Sequence, residues 1–563
     1  MISKSSVHLN KRDYPNYGST IKEVSNEDKF KVQKEEQKLC ELKIRSIIKS
    51  IFLLLSIGFF LWVVYYQVFV QKSNIGTTLC NGFGFLIIIY GLFASCIIYN
   101  YLVGPFLVPL IEFYIWTPVE VLFRKSRYAA LTFYVLFFSG IFLFLIYDTK
   151  GDRLRLISLL GISFFLLLGY IFSPFKSHIK WTTVINGMVL QFSLALLIIK
   201  WAPGGALFNC VGNKVTAFLG YSVQGAAFVY GDVSVYQQGV LAFKTLSAVY
   251  YLGFCINILY YYGLMQKFVA SLGRLLMFWF GTSICESVNS AANIFLSMTE
   301  APLLLKPFLD HLTDSELHNI MTCGFATTSG TVLATFISYG ADATTLITAS
   351  VMSAPSALVY SKLMYPEKEE PEITQDNVNI TYIPYDSLLE AAITGALDGV
   401  KMVLHIIAGI IACLSFVYFL NGVLTWMGAL VGYTTADDAW TINAFAGKLF
   451  IPIAFLLGVP IEDCEKVGQL IGIKTMVNEF VAFQTMSTMN LQPKSKTIVT
   501  FVLCGFANPS AIGIMISGLT ALVPRKRAQI TRLVFRAAIS GAIVSCMTAC
   551  IAGVLIPTNQ KTQ

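Results

Sequence analysis

The sequence predicts an all-α polytopic membrane protein with about eleven transmembrane helices and two re-entrant hairpins. Of its 563 residues, 55% are hydrophobic and only 13% are charged, whereas soluble domains carry about 25% charged residues. Apolar runs of about 20 residues, the length that spans a bilayer core as helix, recur along the chain. The net charge of +8 is thinly spread. The composition therefore excludes a cytosolic enzyme, a disordered protein and a nucleic-acid-binding protein.

The N-terminal segment 1–46 is polar and has no early apolar run, so it predicts a cytoplasmic tail and not a signal peptide. Basic residues at Lys43, Arg45 and Lys49 support this placement through the positive-inside rule. An odd number of crossings then places the C-terminus outside the cell. Arg153 and Arg155 also fall outside, as an exception to the rule. The eleven predicted spans are 47–70, 80–102, 128–147, 154–172, 181–201, 240–264, 317–339, 343–363, 403–426, 498–523 and 533–556.

Several segments do not behave as simple spans. Segment 265–282 is amphipathic and predicts a helix along the membrane interface. Segments 286–307 and 467–483 are apolar but interrupted by charged and amide side chains, which favours re-entrant hairpins enclosed by protein. The acidic segment 365–385 predicts a cytoplasmic loop, and 386–401 a second interfacial helix.

An internal repeat indicates where a functional site lies. Cys323–Ser329 reads C-G-F-A-T-T-S and Cys504–Ser510 reads C-G-F-A-N-P-S, each in the middle of an apolar span. Each copy follows a hairpin with a glutamate, Glu300 or Glu479. Three crossings separate the copies, so they run in opposite directions, and paired broken helices in inverted repeats are typical of secondary transporters. The alternative is a helix-packing motif of small residues, but a carboxylate inside a membrane favours a functional site.

Three motifs in these segments resemble the concentrative nucleoside transporter family. They are S-M-T-E-A-P-L at 297–303, G-I-K-T-M-V-N-E-F-V-A at 472–482 and G-F-A-N at 505–508. The resemblance extends over about 172–556. It implies a cation-coupled nucleoside importer, an elevator-type mechanism with inverted repeats and broken helices, and a homotrimer. It implies no other cofactor, and no nucleic acid among the partners.

The resemblance also assigns residues by motif position. The base would contact Met298, Thr299 and Glu300, with Val332 packed beside it. The ribose would contact Glu479 and Asn508, with Phe506 lining the pocket. A coupling sodium ion would bind the side chains of Asn293 and Thr327 and the carbonyls of Leu296 and Thr328.

The sequence departs from the family at two places that bear on substrate choice. Ala511 stands where many members have a serine that holds the ribose. Met298 stands where pyrimidine-accepting members tend to have Gln, and a thioether forms an apolar wall suited to a bicyclic base. This predicts a purine-nucleoside preference. Ser297 argues against it, because purine-preferring members have Gly there.

Other functions compete with this interpretation. Proton coupling at the same site is one alternative, although Asn293 and Thr327 offer oxygens suited to sodium. An intramembrane enzyme would use Glu300 and Glu479 as an acid–base pair, but no nucleophile–base pair or metal cluster accompanies them. A channel would not need inverted broken helices. A phosphate-binding loop is absent from the sequence, which argues against an ATP-driven pump.

Some polar residues outside the motifs are predicted to be solvated, namely His311, His318, Asp437, Asp438, Glu462 and Asp463. The acceptor pattern at Asn379 lies on the cytoplasmic side of the predicted topology, so Asn379 is expected to be unmodified. The expected location is the plasma membrane.

The predicted organisation is a tail (1–46), additional N-terminal helices (47–173), scaffold helices with an interfacial helix (174–282), the first hairpin and broken helix (283–365), a loop with an interfacial helix (366–401), a scaffold helix and connector (402–466), the second hairpin and broken helix (467–523), and a last helix with a short tail (524–563).

Overall fold

The computed structural model describes residues 50–51, 53–70, 80, 82–98, 127–373, 385–433 and 440–557. The chain divides into two compact units, Met1–Val135 and Leu136–Gln563. The described part of the first unit consists of helical segments, and the predicted site residues all lie in the second unit.

Every regular element among the described residues is a helix, as predicted. Seven of the described helices are long and apolar enough to cross a membrane: Leu53–Val70, Arg153–Phe172, Trp181–Lys200, Ala242–Tyr261, Ala343–Met364, Leu388–Leu430 and Pro524–Leu555. The other α-helices of eight residues or more are Phe83–Ile98, Arg127–Asp148, Ala202–Tyr230, Leu264–Phe280, Ile284–Ala292, Asp314–Ala326, Gly330–Ser338, Ile442–Leu456, Cys464–Met476, Glu479–Thr488, Pro493–Leu503 and Pro509–Leu522. Each of the eleven predicted spans overlaps a helix or a pair of helices, and the number of crossings stays a prediction.

Two helices were missed by the sequence interpretation. Ala202–Tyr230 is a 29-residue helix in which Asn209, Asn213 and Lys214 lower the hydropathy below that of a span. It ends at Gly231, whose φ of 84° lies in the region that favours glycine. Ile442–Leu456 is a 15-residue helix within the predicted connector, and it contains Pro452, a residue type that disfavours helix interiors.

The predicted interfacial helix 386–401 is not a separate element. It continues without interruption into the following predicted span as one helix of 43 residues, Leu388–Leu430, called the long helix below. No proline interrupts this stretch, so nothing in the backbone forces the helix to end between the two predicted elements.

The two predicted breaks are confirmed. The first broken helix consists of Asp314–Ala326 and Gly330–Ser338. The second consists of Pro493–Leu503 and Pro509–Leu522. Its second half begins with Asn508 as N-cap, whose side chain accepts a hydrogen bond from the Ala511 amide at 2.9 Å. Proline at the first helical position has no amide hydrogen to satisfy, so Pro509 starts a new helix at little cost.

Both predicted hairpins are present as pairs of helical arms. The first hairpin has a helix at Ile284–Ala292, a turn at 293–300 and a 3₁₀ arm at Ala301–His311. At its base Lys362 bonds Glu286 at 2.5 Å and Glu367 at 2.9 Å, which ties the hairpin to the helix Ala343–Met364. The second hairpin pairs Cys464–Met476 with Glu479–Thr488.

The last helix, Arg527–Leu555, packs against both broken helices at the centre of the core. Phe325, at the first break, lies so close to Gly541 that a side chain there would come within 2.5 Å of its Cβ. Glycine in this helix therefore permits the close approach of the broken backbone.

Two polar residues differ from the sequence interpretation. His318 is fully buried, bonds Ser361 Oγ at 2.7 Å and stacks on Tyr365. Asp463 is buried and accepts a hydrogen bond from the Gln492 amide at 2.9 Å. Neither is solvated, because residues distant in the sequence enclose both side chains and bond Nδ1 of His318 and the carboxylate of Asp463. His311 and Glu462 are exposed, as expected. Asp437, Asp438 and Asn379 lie outside the described residues.

The exceptional arginine cluster has a structural explanation. Arg155 is buried, pairs with Asp148 at 2.6 Å and donates from Nε to the Val554 carbonyl at 2.8 Å. Lys200 bonds the same carboxylate at 2.6 Å. Arg155 therefore links the ends of helices. Its charge is paired inside the protein, so its position does not count against the predicted orientation in the membrane.

Candidate functional site

The candidate site is a cavity of about 370 Å³ in the second unit. Pockets of this size suit small organic ligands. It lies among the turns of both hairpins, the second half of the second broken helix, the helix Ser247–Tyr261 and the long helix. Residues that line it include Asn257, Tyr260, Met298, Thr299, Glu300, Tyr385, Asp398, Lys401, His405, Asn478, Glu479, Phe506, Asn508, Ser510 and Ala511.

The structure brings together six of the seven predicted substrate residues. Met298, Thr299, Glu300, Glu479, Phe506 and Asn508 all line the cavity, although they are separated by up to 210 positions in the chain (508 − 298 = 210). Val332 is fully buried in the second half of the first broken helix and does not line the cavity.

The first hairpin presents Glu300 through a local cap. The Ser297 amide donates to Glu300 Oε2 at 3.1 Å, and the Glu300 amide donates to Ser297 Oγ at 3.3 Å. This reciprocal pair is the S-x-x-E pattern that begins a helix, and the 3₁₀ arm starts at the next residue. One carboxylate oxygen is thus held by the backbone, while the residue faces the cavity.

The second hairpin presents Glu479 in a matching way. Glu479 is the first residue of its helix, and Asn478 caps that helix by accepting from the Val481 amide at 3.0 Å. Asn508 Nδ2 donates to Glu479 Oε2 at 2.6 Å. Asn508 is itself the N-cap of Pro509–Leu522. Two helix N-termini therefore meet at a carboxylate–amide pair, where the helix dipoles favour negative charge.

The two broken helices are joined at their breaks. The Phe506 amide donates to the Phe325 carbonyl at 2.7 Å, and the Thr328 hydroxyl donates to the Cys504 carbonyl. Each break thus satisfies backbone groups that the other has lost from its helix. This mutual arrangement explains how unwound backbone is tolerated inside the protein core.

The four predicted sodium ligands lie in the turn of the first hairpin and in the first break. Asn293, Leu296, Thr327 and Thr328 are all at most 1% exposed. The Gly330 amide donates to the Phe295 carbonyl at 3.1 Å, which holds the turn beside the break.

The donor set of these four residues fits a sodium ion. Asn293 Oδ1 is buried without a hydrogen-bond partner, while its Nδ2 donates to the Asn289 carbonyl at 2.8 Å. Thr327 Oγ1 donates to the Cys323 carbonyl at 2.8 Å and keeps its lone pairs. An amide oxygen, a hydroxyl and unwound backbone carbonyls are the ligands that sodium takes at broken helices.

Several lining residues were not predicted as site residues. Asp398, Lys401 and His405 of the long helix line the cavity, and Lys401 pairs with Asp398 at 3.0 Å. Asn257 lines it from Ser247–Tyr261. The spacing of Gly395, Asp398, Met402 and His405 places these residues on one helix face, a signal that becomes visible only when 386–401 and 403–426 are treated as one helix.

Tyr385 completes this side of the cavity. Burial raises the pKa of Tyr385, and the carboxylates of Asp398 and Glu390 add to the rise. Its hydroxyl therefore stays protonated at neutral pH and donates to Asn257 Oδ1 at 3.0 Å.

Comparisons with known proteins bear on this site. Models of the Na⁺-dependent nucleoside transporter N-terminus and C-terminus match residues 160–233 and 345–553, and a nucleoside recognition (Gate) model matches 242–343. The inward-facing, substrate-bound structure of CNTnw is 30% identical, with a TM-score of 0.67, and the match covers 98% of that chain and 71% of this one. The chain belongs to the concentrative nucleoside transporter family. Members of this family are membrane transporters, so the enzyme alternative is set aside.

Other family members are similar over most of the chain. Sodium/nucleoside cotransporter 2 of Rattus norvegicus is 39% identical over 75% of this chain, and sodium/nucleoside cotransporter 1 of Homo sapiens is 40% identical over 74%. An outward-facing structure of a CNTnw variant also matches, with a TM-score of 0.67. The match spans 66% of the length of each of these two cotransporters, just under two thirds.

Proposed function

We propose that this chain imports nucleosides across the plasma membrane by sodium-coupled secondary transport. The observation that carries the proposal is the cavity itself. Glu300 and Glu479, presented by the two hairpins, line the same space, and the first hairpin's turn also carries the unpartnered Asn293 oxygen. The relatives named as sodium/nucleoside cotransporters support both the solute class and the ion.

The chemistry of the cavity suits a neutral solute with several hydroxyls. The Glu479 carboxylate accepts hydrogen bonds from ribose hydroxyls, and a charged acceptor makes these bonds stronger than neutral ones. One amide hydrogen of Asn508 is donated to Glu479, and the second can be donated to the ribose. Phe506 supplies an apolar wall. Thr299 and Glu300 would bond the edge of the base.

The base preference proposed here is for purines. Met298 lines the cavity from the turn of the first hairpin. Its thioether offers an apolar, adaptable surface for a bicyclic base, whereas an amide at this position would favour a pyrimidine edge. Val332 would act from behind the lining, since it is fully buried in the structure.

The positions of the proposed cation ligands support sodium coupling. A sodium ion held by Asn293 and Leu296 of the turn and by Thr327 and Thr328 of the break would fix the turn that carries Met298, Thr299 and Glu300. The nucleoside would then bind a turn already ordered by the ion. Such ordering gives positive coupling between two ligands. Proton coupling at the same site is the alternative, and the unpartnered Asn293 oxygen favours sodium because an amide oxygen coordinates metal ions.

The proposed movement assigns the two hairpins and broken helices, 283–365 and 467–523, to a transport part that shifts like an elevator. Residues 174–282 and 402–466 would hold a homotrimer together. The long helix supports this division, because its apolar side chains Phe416, Tyr418 and Phe419 are 60–66% exposed within one chain. Exposed apolar faces of this kind contact lipid or another copy. The N-terminus would be cytoplasmic and the C-terminus extracellular.

Purified protein in detergent provides a direct test of the proposed binding site. Adenosine should raise the melting temperature in sodium chloride and leave it nearly unchanged in choline chloride, because binding stabilises only the folded state. In the variant Asn293→Ala, which lacks a proposed sodium ligand, adenosine should raise the melting temperature only slightly, and by the same amount in both salts. A shift by adenosine that is equal in both salts would contradict sodium coupling. The absence of any shift by nucleosides in sodium would contradict the proposed substrate class.

A further inference from the structure

The cavity has two walls that belong to different parts of the molecule. The hairpin turns and the second broken helix form the first wall, which carries the substrate residues proposed above. The second wall, called the long-helix wall below, carries polar residues to which the proposed function gives no role, namely Asn257, Tyr385, Asp398, Lys401 and His405. None of these five residues lies in the three sequence motifs at 297–303, 472–482 and 505–508.

Close packing joins the two helices of the long-helix wall. A Cβ built on Gly395 of the long helix would overlap the Gly253 carbonyl oxygen of Ser247–Tyr261, so glycine permits this approach. The Tyr385 hydroxyl donates to Asn257 Oδ1 at 3.0 Å, and Asn257 Nδ2 donates to the Gly253 carbonyl at 3.3 Å. The wall is therefore one packed unit.

The continuity of the long helix determines which moving part carries this wall. Leu388–Leu430 has no break, so Asp398 and Lys401 stay attached to the segment that the proposed movement assigns to the scaffold. The hairpins and broken helices belong to the transport part. Because the two walls lie on different parts, they face each other at one end of the transport movement and separate at the other.

The long-helix wall lies at the cytoplasmic end of the cavity. It follows the acidic segment 365–385, which the predicted topology places inside the cell. Its charged side chains reach the surface, since Asp398 is 56% exposed and Lys401 is 75% exposed. Glu479, on the other wall, is only 2% exposed. A solute that leaves the site for the cytoplasm would therefore pass Asp398 and Lys401 last.

The chemistry of this wall suits a neutral solute with both hydrogen-bond donors and acceptors. The Lys401 ammonium, which pairs with Asp398 at 3.0 Å, has three hydrogens to donate. His405 Nδ1 donates to the Lys401 carbonyl at 2.6 Å, so Nε2 of the neutral ring is an acceptor. Asp398 is close enough to Glu300 for the two carboxylates to repel each other. A nucleoside between them would donate N–H or O–H groups to both carboxylates and relieve this repulsion.

We propose that the long-helix wall is a second nucleoside subsite, which holds the nucleoside at the cytoplasmic end of the transport movement before its release. The inference rests on the proposed function, because it concerns the exit of the same solute. Asp398 and Lys401 are the main contacts. They act on nucleoside binding from the cytoplasm only, whereas the hairpin residues travel with the nucleoside and act on both faces of the membrane.

The first test compares the two faces of the membrane in voltage-clamped giant patches. Adenosine-induced current, with sodium on the same side, gives the half-saturating adenosine concentration for the external face in outside-out patches and for the cytoplasmic face in inside-out patches. Asp398→Ala and Lys401→Met each remove a polar contact, so the cytoplasmic value should rise about threefold to tenfold, the range of one net hydrogen bond. The external value should stay constant. Both side chains are exposed, so neither substitution should prevent folding.

Lys448→Met is the matched control for this comparison. Lys448 is an exposed lysine of Ile442–Leu456, away from the cavity lining, and its substitution should change neither value. Equal changes on both faces, or a constant cytoplasmic value in the two test variants, would overturn the inference and leave the proposed function intact. Absence of sodium-dependent adenosine current from both faces of the unmodified protein, with the protein at the surface, would overturn both.

The second test probes whether the nucleoside covers the long-helix wall. Lys401→Cys introduces a thiol for a membrane-impermeant methanethiosulfonate reagent applied to the cytoplasmic face, and the parent chain is the control for the native cysteines. Modification should reduce the adenosine-induced current, and adenosine on the cytoplasmic face should slow the modification. A modification rate that adenosine does not alter, or a thiol that reacts only from outside, would overturn the inference.

Discussion

Glu479 combines three constraints in one side chain. It is 2% exposed, it begins a helix, and it accepts a 2.6 Å hydrogen bond from Asn508. The helix N-terminus and the amide stabilise the carboxylate, and Glu479 lines the cavity. A neutral amide of the same size would keep the packing and lose the charge.

Glu479→Gln therefore tests the proposed ribose contact. Hydrogen bonds to charged groups contribute about 1.5–3 kcal/mol, and about 1.4 kcal/mol corresponds to a factor of ten. Adenosine uptake at low concentration should fall at least about tenfold, with the protein still at the cell surface. Glu462→Gln, on an exposed residue, should leave uptake unchanged. Normal uptake by Glu479→Gln would remove Glu479 from the site.

Met298→Gln tests the proposed base preference. A glutamine amide would bond the polar edge of a pyrimidine and narrow the apolar wall, so the ratio of uridine to adenosine uptake should rise by about tenfold, the value of one net hydrogen bond. The measurement is competition between the two labelled nucleosides. Met427→Gln, on an exposed part of the long helix, serves as control. A ratio that stays constant would mean that Met298 is ordinary packing.

At the residue scale, much of the cavity lining could be predicted because the motifs lie in the turns and breaks that meet there. Asp398, Lys401 and His405 could not, since their proximity to the hairpins depends on how the long helix packs. His318 and Asp463 were misjudged for a related reason. Their burial depends on Ser361 and Gln492, which are distant in the sequence.

At the scale of elements, the breaks determine the site. Each break exchanges a regular helix bond for a bond to the other break, and the small residues of the C-G-F-A motif allow that approach. Gly324 has no room for a side chain, because a Cβ there would lie 2.7 Å from Met298 Cβ and 2.8 Å from Met515 Cε. The Met298 contact is with the root of the side chain and cannot be relieved by a rotamer change.

Gly324→Ala should therefore displace the turn that carries Met298. Uptake should fall several-fold, and the melting temperature should drop, although alanine is the better helix former by about 1 kcal/mol. Gly513→Ala is the matched control in the second broken helix, because nothing lies within 4 Å of its added methyl group. It should leave uptake unchanged and keep or raise the melting temperature. An equal effect of the two substitutions would show that the close approach at Gly324 is unimportant.

Hydropathy predicted the apolar helices well. It missed one polar helix and divided one continuous helix into two elements. Ala202–Tyr230 escaped because its amide and lysine side chains reduce its apolar character, and only the fold reveals it. The single helix Leu388–Leu430 was divided in two because its first part resembles an interfacial segment. The breaks, in contrast, were predictable, since a repeated motif with Pro509 in one copy marks them in the sequence.

At the scale of the whole molecule, topology relates these elements to the two sides of the membrane. The predicted topology places Asn379 in the cytoplasm. Glycosidase treatment of protein from mammalian cells should therefore leave its mobility unchanged, both in the parent chain and in Asn379→Gln. A mass shift that disappears in Asn379→Gln would reverse the orientation of this loop and of the spans beside it.

The proposed sodium-driven accumulation of nucleosides is a property of the molecule as a whole. The most direct measurement is uptake of labelled adenosine by cells that lack nucleoside transport, first in sodium and then with choline in its place. We expect accumulation above the external concentration in sodium, and loss of that accumulation in choline. Uptake that is the same in both buffers and never exceeds the external concentration would contradict sodium-coupled concentrative transport.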